Sequence, residues 1–241
     1  MRSNNAVKTA LSLAVFSVTA CVVALAIYFI FFGQSEDDSA NVSATPVPTV
    51  IIDAGHGGMD GGCVADMGTE QLLEKNCNLD ISKTLAALFR ISGYNVVMTR
   101  ENDVMLDIPD TTGSAKMRDL KSRLNTAAEH PDAIFISIHC NKFPDPKCKG
   151  LQVYYTKNRE ESKQIAQEIQ DSAVSLLQPE NKRQIKPADS SIYLLHKAKQ
   201  PAVLIECGFL SNPEEAELLF SPAYQKKLAL SILIPMICDQ K

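Results

Sequence analysis

Three short apolar runs in this sequence each end at a side chain that can bind a metal. Val50–Asp53 precedes His56, Ala133–Ile138 precedes His139, and Ala202–Glu206 ends in a carboxylate. Continuous apolar runs of this length are typical of strands buried on both faces of a sheet. Three strands of one sheet can bring two imidazoles and a carboxylate to the same edge. We therefore predict a metal centre there, with the ligand chemistry of a catalytic zinc site.

The chain after residue 48 alternates between strand and helix patterns. Further strands are predicted at Tyr94–Thr99 and Leu151–Tyr155, and helices at Asn78–Ile91, Lys116–Glu129, Glu160–Leu177 and Pro222–Cys238. This alternation predicts an α/β fold, a layered domain with a largely parallel mixed sheet flanked by helices. The segment Gln178–His196 has no clear period and is predicted to be a loop near the site, with a short strand at Ser191–Leu195.

The N-terminal segment predicts one membrane helix before this domain. Residues 10–32 are apolar and uncharged over a length that crosses a bilayer, with basic residues before them and acidic residues after them. We expect a cytoplasmic stub at 1–9, a transmembrane anchor or signal anchor at 10–32, a linker at 33–48 and an extracytoplasmic catalytic domain at 49–241. An uncleaved anchor is favoured over a cleaved signal, because no A-x-A site follows the run directly.

The chain has four histidines, and two of them stand where chemistry is expected. His56 and His139 follow apolar strands, and glycines flank His56, so both are natural metal ligands. His130 precedes a proline at a predicted helix end, and His196 lies in the aperiodic segment. The last two favour solvated structural roles.

The choice of carboxylate stays open on spacing alone. Glu70 and Glu74 both lie between the first strand and the first helix, about one helical turn apart, so either can face the site. Glu206 can be a third ligand or a base beside the metal. Its structural alternative is a salt bridge with Arg100 or Arg123, because a carboxylate is costly to bury without a partner.

Five motifs, in this order, resemble the zinc-dependent N-acetylmuramoyl-L-alanine amidases of the amidase-3 type. They are Asp53–Gly58 (DAGHGG), Leu73–Leu79 (LEKNCNL), Val97–Arg100 (VMTR), Ser137–Asn141 (SIHCN) and Val203–Asn212 (VLIECGFLSN). The resemblance implies zinc ligands at His56, Glu74 and His139 and a catalytic glutamate at Glu206. It thereby selects Glu74 over Glu70.

The resemblance also implies the reaction. A family member hydrolyses the amide between N-acetylmuramic acid and L-alanine of the peptidoglycan stem peptide. Asp53 and Asn141 are then candidates for orienting the ligands, and Arg100 either binds a substrate carboxylate or pairs with a buried acid. The alternatives are a peptidoglycan-binding pseudoenzyme and a zinc carboxypeptidase. A phosphate-binding loop is disfavoured, because the glycines lack the required spacing.

A membrane anchor followed by a catalytic domain without wall-binding repeats resembles the layout of the spore-cortex amidases, which serve muramic-δ-lactam formation. The net charge of −4 gives no indication of nucleic-acid binding. It also gives no evident electrostatic attraction to an anionic cell wall. We therefore expect the membrane helix or an accessory protein to bring the enzyme to its substrate. The basic cluster Lys182, Arg183 and Lys186 either contacts substrate or such a partner, or belongs to a solvated loop.

Seven cysteines occur, none in a CxxC pair. A disulfide between Cys140 and Cys148 is one expectation for the exported part of the chain, and free thiols in the core are the other.

Overall fold

The computed structural model describes residues 47–66, 71–107, 112–157 and 159–238. The predicted stub, the membrane segment and nearly all of the linker lie outside these ranges, as does Glu70. Among the helices that are described, none combines the length and apolar character needed to cross a membrane.

The described chain is built on one six-stranded sheet. Its strands are β1 (Thr49–Ala54), β4 (Asn95–Met98), β5 (Ile134–Asn141), β6 (Gln152–Tyr155), β7 (Lys186–Pro187) and β8 (Ala202–Phe209). Their order is β4-β1-β5-β8-β6-β7, and strands β2 and β3 form a separate two-stranded ribbon that is described below. Strands β4, β1, β5 and β8 run parallel, whereas β6 is antiparallel to β8. The predicted α/β class with a largely parallel mixed sheet is confirmed. Parallel β1, β5 and β8 end at one edge of the sheet, which is where ligands bind in such folds.

Helices cover both faces of this sheet. They are α1 (Glu74–Ile91), α2 (Ala115–Glu129), α3 (Glu160–Leu176), α4 (Tyr193–Lys197), α5 (Pro213–Leu219) and α6 (Pro222–Cys238). Alternate residues along each strand serve the two faces: Val50 and Ile52 pack toward α1, α3 and α6, and Ile51 packs toward α2 and α4. Both faces are therefore apolar, which is why the strands read as continuous hydrophobic runs.

The first helix begins earlier than its periodicity predicts. It begins at Glu74 rather than Asn78, although Leu73 supplies no side-chain cap. The first two backbone N–H groups instead donate to loop carbonyls, Glu74 to Cys63 (2.9 Å) and Lys75 to Gly61 (3.2 Å). These partners satisfy groups that a helix end otherwise leaves open. The same loop forms a two-stranded ribbon that was not predicted, β2 (Val64–Asp66) with β3 (Gln71–Leu73).

The predicted strand at Ser191–Leu195 is wrong. The Ser191 N–H and hydroxyl both bond the Asp189 carboxylate, at 2.8 and 2.5 Å, and the chain then turns into α4. Leu194 and Leu195 are consecutive and both buried, a pattern that a one-turn helix against the sheet satisfies and an alternating strand does not. Helix α5 was also not predicted.

Candidate metal centre and active site

A tight turn carries His56 from the end of β1 to the edge of the sheet. Gly55 N donates to the Ile138 carbonyl of β5 (3.1 Å), and Gly57 and Asp60 exchange two backbone hydrogen bonds. His56 itself has φ of +62°, a left-handed conformation that is uncommon for a residue with a side chain. The Arg123 guanidinium fixes this turn by donating to the His56 carbonyl (2.7 Å).

His56, Glu74 and His139 converge on one point. His56 Nε2 lies 3.2 Å from Glu74 Oε2, and His139 Nδ1 lies 3.1 Å from Glu74 Oε1. One nitrogen or oxygen atom from each residue falls within a set whose members are all within 4.8 Å of one another. Two imidazole nitrogens and one carboxylate oxygen at this spacing form the donor set of a catalytic zinc site, and the residues fit that metal.

Glycines make room for this cluster. A side chain at Gly55 would collide with the His139 ring. A Cβ at Gly62, which has φ of +67°, would lie 2.5 Å from Glu74 Oε2 and 2.7 Å from the His56 ring. The glycines near the first histidine thus permit the close approach of the three candidate ligands.

The Glu74 carboxylate is held on both oxygens. Oε2 accepts from Cys63 N (2.7 Å), and Oε1 accepts from Cys140 N (3.1 Å) and Asn78 Nδ2 (3.2 Å). Burial alone would raise the pKa of this carboxyl, but hydrogen bonds and charge from His139 and His56 outweigh it and hold the pKa well below its usual range. Glu74 is therefore an ionised, fixed oxygen donor.

Glu206 stands beside His139 with a different environment. The two residues are direct partners in the register between β5 and β8. Glu206 Oε2 is buried and has no hydrogen-bond partner among the described residues. Burial, reinforced by the charge of Glu74 and opposed by His139, raises the pKa of Glu206 to about 7. The salt bridge with Arg100 or Arg123 that was the structural alternative does not form.

Arg100 and Arg123 have other partners. Arg100 donates to the backbone carbonyls of Ala54 (2.9 Å), Gly55 (2.9 Å), Lys75 (2.8 Å) and Asn102 (3.1 Å). Its partners are thus carbonyls rather than a buried acid, which was one of the two partners expected for it. Since it is buried and engaged at all three nitrogens, it ties the first strand to the start of α1.

Asp53 is buried at the end of β1 and contacts neither imidazole directly. Its carboxylate accepts from Arg123 (2.6 Å), Ser137 (2.6 Å) and Thr99 (2.8 Å). Burial opposes ionisation, but the charge of Arg123 and these hydrogen bonds hold the pKa of Asp53 below its usual value. Because Arg123 also donates to the His56 carbonyl, Asp53 is linked to the candidate metal ligand His56 through one intermediate residue.

Asn141 follows the candidate ligand of β5 by two residues. Its side-chain oxygen accepts from Lys142 N (2.8 Å), and its carbonyl accepts from Leu210 N (2.8 Å). The structure therefore joins Asn141 to the ends of β5 and β8 rather than to a candidate ligand.

Two residues that touch the candidate ligands were missed by sequence reasoning. Asp60 Oδ2 lies 2.9 Å from His56 Nδ1, within ion-pair distance although not aligned as a hydrogen bond. Asn78 contacts Glu74 from one helical turn further along α1. The i, i+4 spacing of Asn78 from Glu74 is a signal that could have found it once the start of α1 was known.

A cavity of about 210 Å³ opens over this edge. Its lining includes His56, His139 and Glu206, and also Ser191 and Ile192 from the turn before α4 and Tyr193 at the start of that helix. The aperiodic segment is therefore near the site, as predicted. His130 lies at the end of α2 and His196 is exposed in α4, away from the cluster.

All six described cysteines are free thiols. The Sγ atom of Cys140 lies 3.6 Å from that of Cys77, in the core below the site. A disulfide between Cys140 and Cys148 is therefore not present, and the alternative expectation of free thiols holds for the described residues.

Comparisons with known proteins identify the family of this chain. A family model described as N-acetylmuramoyl-L-alanine amidase matches residues 50–235. The chain is similar to the germination-specific N-acetylmuramoyl-L-alanine amidase of Bacillus subtilis, with 38% identity over 209 residues that cover 85% of this chain and 86% of that protein. It is also similar to the amidase LytC of the same species, with 32% identity over 80% of this chain and 36% of LytC.

A solved structure shares the fold. The CwlD amidase of Clostridioides difficile, in complex with the GerS lipoprotein, superposes with a TM-score of 0.73 and 38% identity. The match covers 78% of this chain and 96% of that one.

Proposed function

This chain belongs to the amidase-3 family and is an N-acetylmuramoyl-L-alanine amidase acting on peptidoglycan, and from that premise we propose how its residues perform the reaction. His56, Glu74 and His139 hold one zinc ion, and Glu206 is the catalytic base. The observation that carries this proposal is the pairing of a compact two-imidazole, one-carboxylate donor set with an unpartnered carboxylate oxygen on the adjacent strand.

When bound, zinc supplies a Lewis acid for the scissile carbonyl and lowers the pKa of water. Glu206 takes the water proton at Oε2 and passes it to the nitrogen of the departing L-alanine. A carboxylate without a hydrogen-bond partner is free to do this, and its raised pKa suits both steps. Glu74 cannot fill that role, because both of its oxygens are engaged.

The surrounding residues orient the ligands. Asp60 and Asn78 act directly on His56 and Glu74, as partners of metal ligands commonly do. Asp53 acts through Arg123 on the His56 turn. For Arg100 we propose a positioning role through its carbonyl bonds rather than substrate binding, and for Asn141 a role at the strand ends.

The two alternative functions, a peptidoglycan-binding pseudoenzyme and a zinc carboxypeptidase, have less support. A pseudoenzyme would be expected to have lost one of the four functional groups, and all four are present together. A zinc carboxypeptidase would also bind zinc, but the family model that this chain matches describes N-acetylmuramoyl-L-alanine amidases.

We further propose a role in the spore cortex, where peptide removal prepares muramic acid for δ-lactam formation. The similarity to a germination-specific amidase supports this. An accessory protein is also proposed, because a similar amidase has been solved in complex with a lipoprotein.

The remaining proposals concern location. We propose the stub at 1–9, the membrane segment at 10–32 and the linker at 33–48, with the domain from residue 49 on the extracytoplasmic face. Protease added to intact protoplasts should remove the domain. A protected domain would contradict this topology.

Mass spectrometry of muropeptides tests the reaction. Zinc-loaded protein should release free stem peptides that begin with L-alanine and leave glycan strands without peptide. Release of a C-terminal amino acid with the lactyl amide intact would indicate a carboxypeptidase instead.

A further inference from the structure

A second cavity is nearly three times the size of the catalytic one. Its volume is about 610 Å³, against about 210 Å³ for the cavity above the metal centre. It lies between the turn before β6, the segment that follows α3, helix α5 and the start of α6. A concave space of several hundred cubic ångströms is of the size that binds a small ligand or part of a larger one.

The two cavities lie at the same end of the sheet but on opposite faces: α2 and α4 line the catalytic cavity, and the end of α3, α5 and α6 line the large one. The start of β6 connects them. Gln152, the first residue of β6, is the direct partner of Glu206 across the antiparallel pair. Arg183 lines the large cavity and donates to the Gln152 side chain (3.2 Å). A single residue therefore separates the catalytic glutamate from a side chain of the second cavity, and directly paired strand residues are about 5 Å apart.

Arg183 is fixed at this junction. Its Nε donates to the Lys149 carbonyl (2.8 Å), and its guanidinium lies 4.4 Å from the centre of the Phe209 ring at the end of β8. A guanidinium held by a carbonyl, an amide and an aromatic face is ordered before any ligand arrives, which reduces the entropy lost on binding.

Basic side chains surround the opening. Lys147, Lys149 and Lys182 are exposed at the cavity, in addition to Arg183. The acids at the rim are Glu180 and Glu214. A third acid, Glu215, is turned inward, where it accepts from Gly150 N (2.9 Å) and Phe209 N (2.8 Å). The rim therefore has more positive than negative charge in a chain whose net charge is −4.

Apolar side chains form the walls. Leu177, Leu218 and Tyr224 also line the cavity, and Leu218 is 46% exposed. Apolar walls with a basic rim suit a ligand with both methyl or methylene groups and carboxylates.

We propose that this cavity binds the carboxylate-bearing part of the stem peptide beyond L-alanine, as a second subsite of the same enzyme. The proposal rests on the proposed amidase function. From the scissile amide the substrate extends in two directions, as a glycan and as a peptide, and of these the peptide has the carboxylates. A basic cavity whose Arg183 is joined to Glu206 through Gln152 therefore receives the peptide. Lys186, which does not line the cavity, has no part in it.

The test replaces the rim charges together. Lys147→Ser, Lys149→Ser and Lys182→Ser should raise KM about five- to tenfold for a muropeptide with a full stem, with kcat unchanged, since exposed charge pairs contribute modestly each. For a muropeptide trimmed to L-alanine, KM should stay within about twofold. The matched control removes the exposed lysines Lys83, Lys226 and Lys227, which do not line the cavity, and should alter neither KM.

A second measurement does not depend on turnover. Free stem peptide should bind the zinc-loaded full-length protein in detergent, and bind the rim triple variant at least about fivefold more weakly. Amidating the peptide carboxylates should weaken binding to the wild type and remove the difference between the two proteins.

Equal peptide affinity and equal KM for the rim triple and the control triple would overturn the subsite. Peptide binding that depends on the rim, in a protein that cleaves no muropeptide, would instead contradict the amidase mechanism and leave the subsite standing.

Discussion

Glu74 at the start of α1 and Glu206 in β8 are carboxylates at one edge of one sheet, yet their surroundings are opposite. Glu74 accepts two backbone N–H groups and the Asn78 amide, and contacts both imidazoles. Glu206 has one oxygen without a partner. The pKa of Glu74 is held low, and that of Glu206 is raised to about 7. The comparison shows how environment alone suits one acid to the proposed metal binding and the other to the proposed proton transfer.

The largest effect is expected at the ligand carboxylate. Glu74→Gln should abolish zinc binding and activity together, because the amide removes the charge and places a donor against backbone N–H groups. His56→Ala and His139→Ala should do the same. Metal analysis of the purified proteins is the measurement, and stoichiometric zinc in all three would refute the ligand assignment.

Glu206→Gln should separate the two roles. The variant should keep its zinc and its fold but lose about 10²–10⁴-fold in rate, the usual contribution of a general base. The matched control is Glu161→Gln, which replaces an exposed acid on α3 and should change neither zinc content nor rate. Loss of zinc from the Glu206 variant would make it a ligand, and a rate within a few-fold of wild type would make it structural.

A smaller effect is expected from the residues that orient the ligands. Asp60→Ala and Asn78→Ala should each lower the affinity for zinc about 10–100-fold, the usual range for residues that contact metal ligands. Asp80→Ala, exposed on the outer face of α1, provides the control. Chelator competition measures the affinity, and values equal to the control would remove these residues from the centre.

The smallest effect on zinc is expected at Cys140. Its backbone N–H contacts Glu74, while its thiol lies against Cys77 in the core. Cys140→Ala should lower the free energy of unfolding by about 1 kcal/mol and leave zinc affinity within about twofold. Denaturant titration and chelator competition measure the two quantities. A large loss of zinc would show that the thiol participates in the metal centre.

Much of this arrangement could be predicted from sequence, because it depends on short-range pattern. The apolar runs before His56 and His139 fixed β1 and β5, and the parallel arrangement brought their ends together. The boundary of α1 could not be predicted, since its first N–H groups are satisfied by a loop more than ten residues upstream. Because the start of α1 was unknown, spacing alone could not choose between Glu70 and Glu74 as the candidate ligand. Only the resemblance to the family selected Glu74.

The turn at Ser191 shows another limit. Its conformation depends on the Asp189 side chain and on burial of two consecutive leucines against the sheet. Nothing in local apolar periodicity distinguishes that helical turn from a short strand. Likewise, Asp60 lies beside His56 in a turn where the His56 backbone is left-handed. The sequence pattern does not predict that conformation.

The proposed metal ligands are far apart in the chain, and this separation sets the order in which the site can form. Glu74 and His139 are 65 residues apart, and they meet only after β5 has paired with β1. A chain that is still collapsing has no complete donor set. The proposed zinc binding is therefore a late step of maturation, after the sheet has closed. The proposed zinc comes from the compartment in which the domain has folded, so under the proposal zinc starvation leaves a folded protein without its metal.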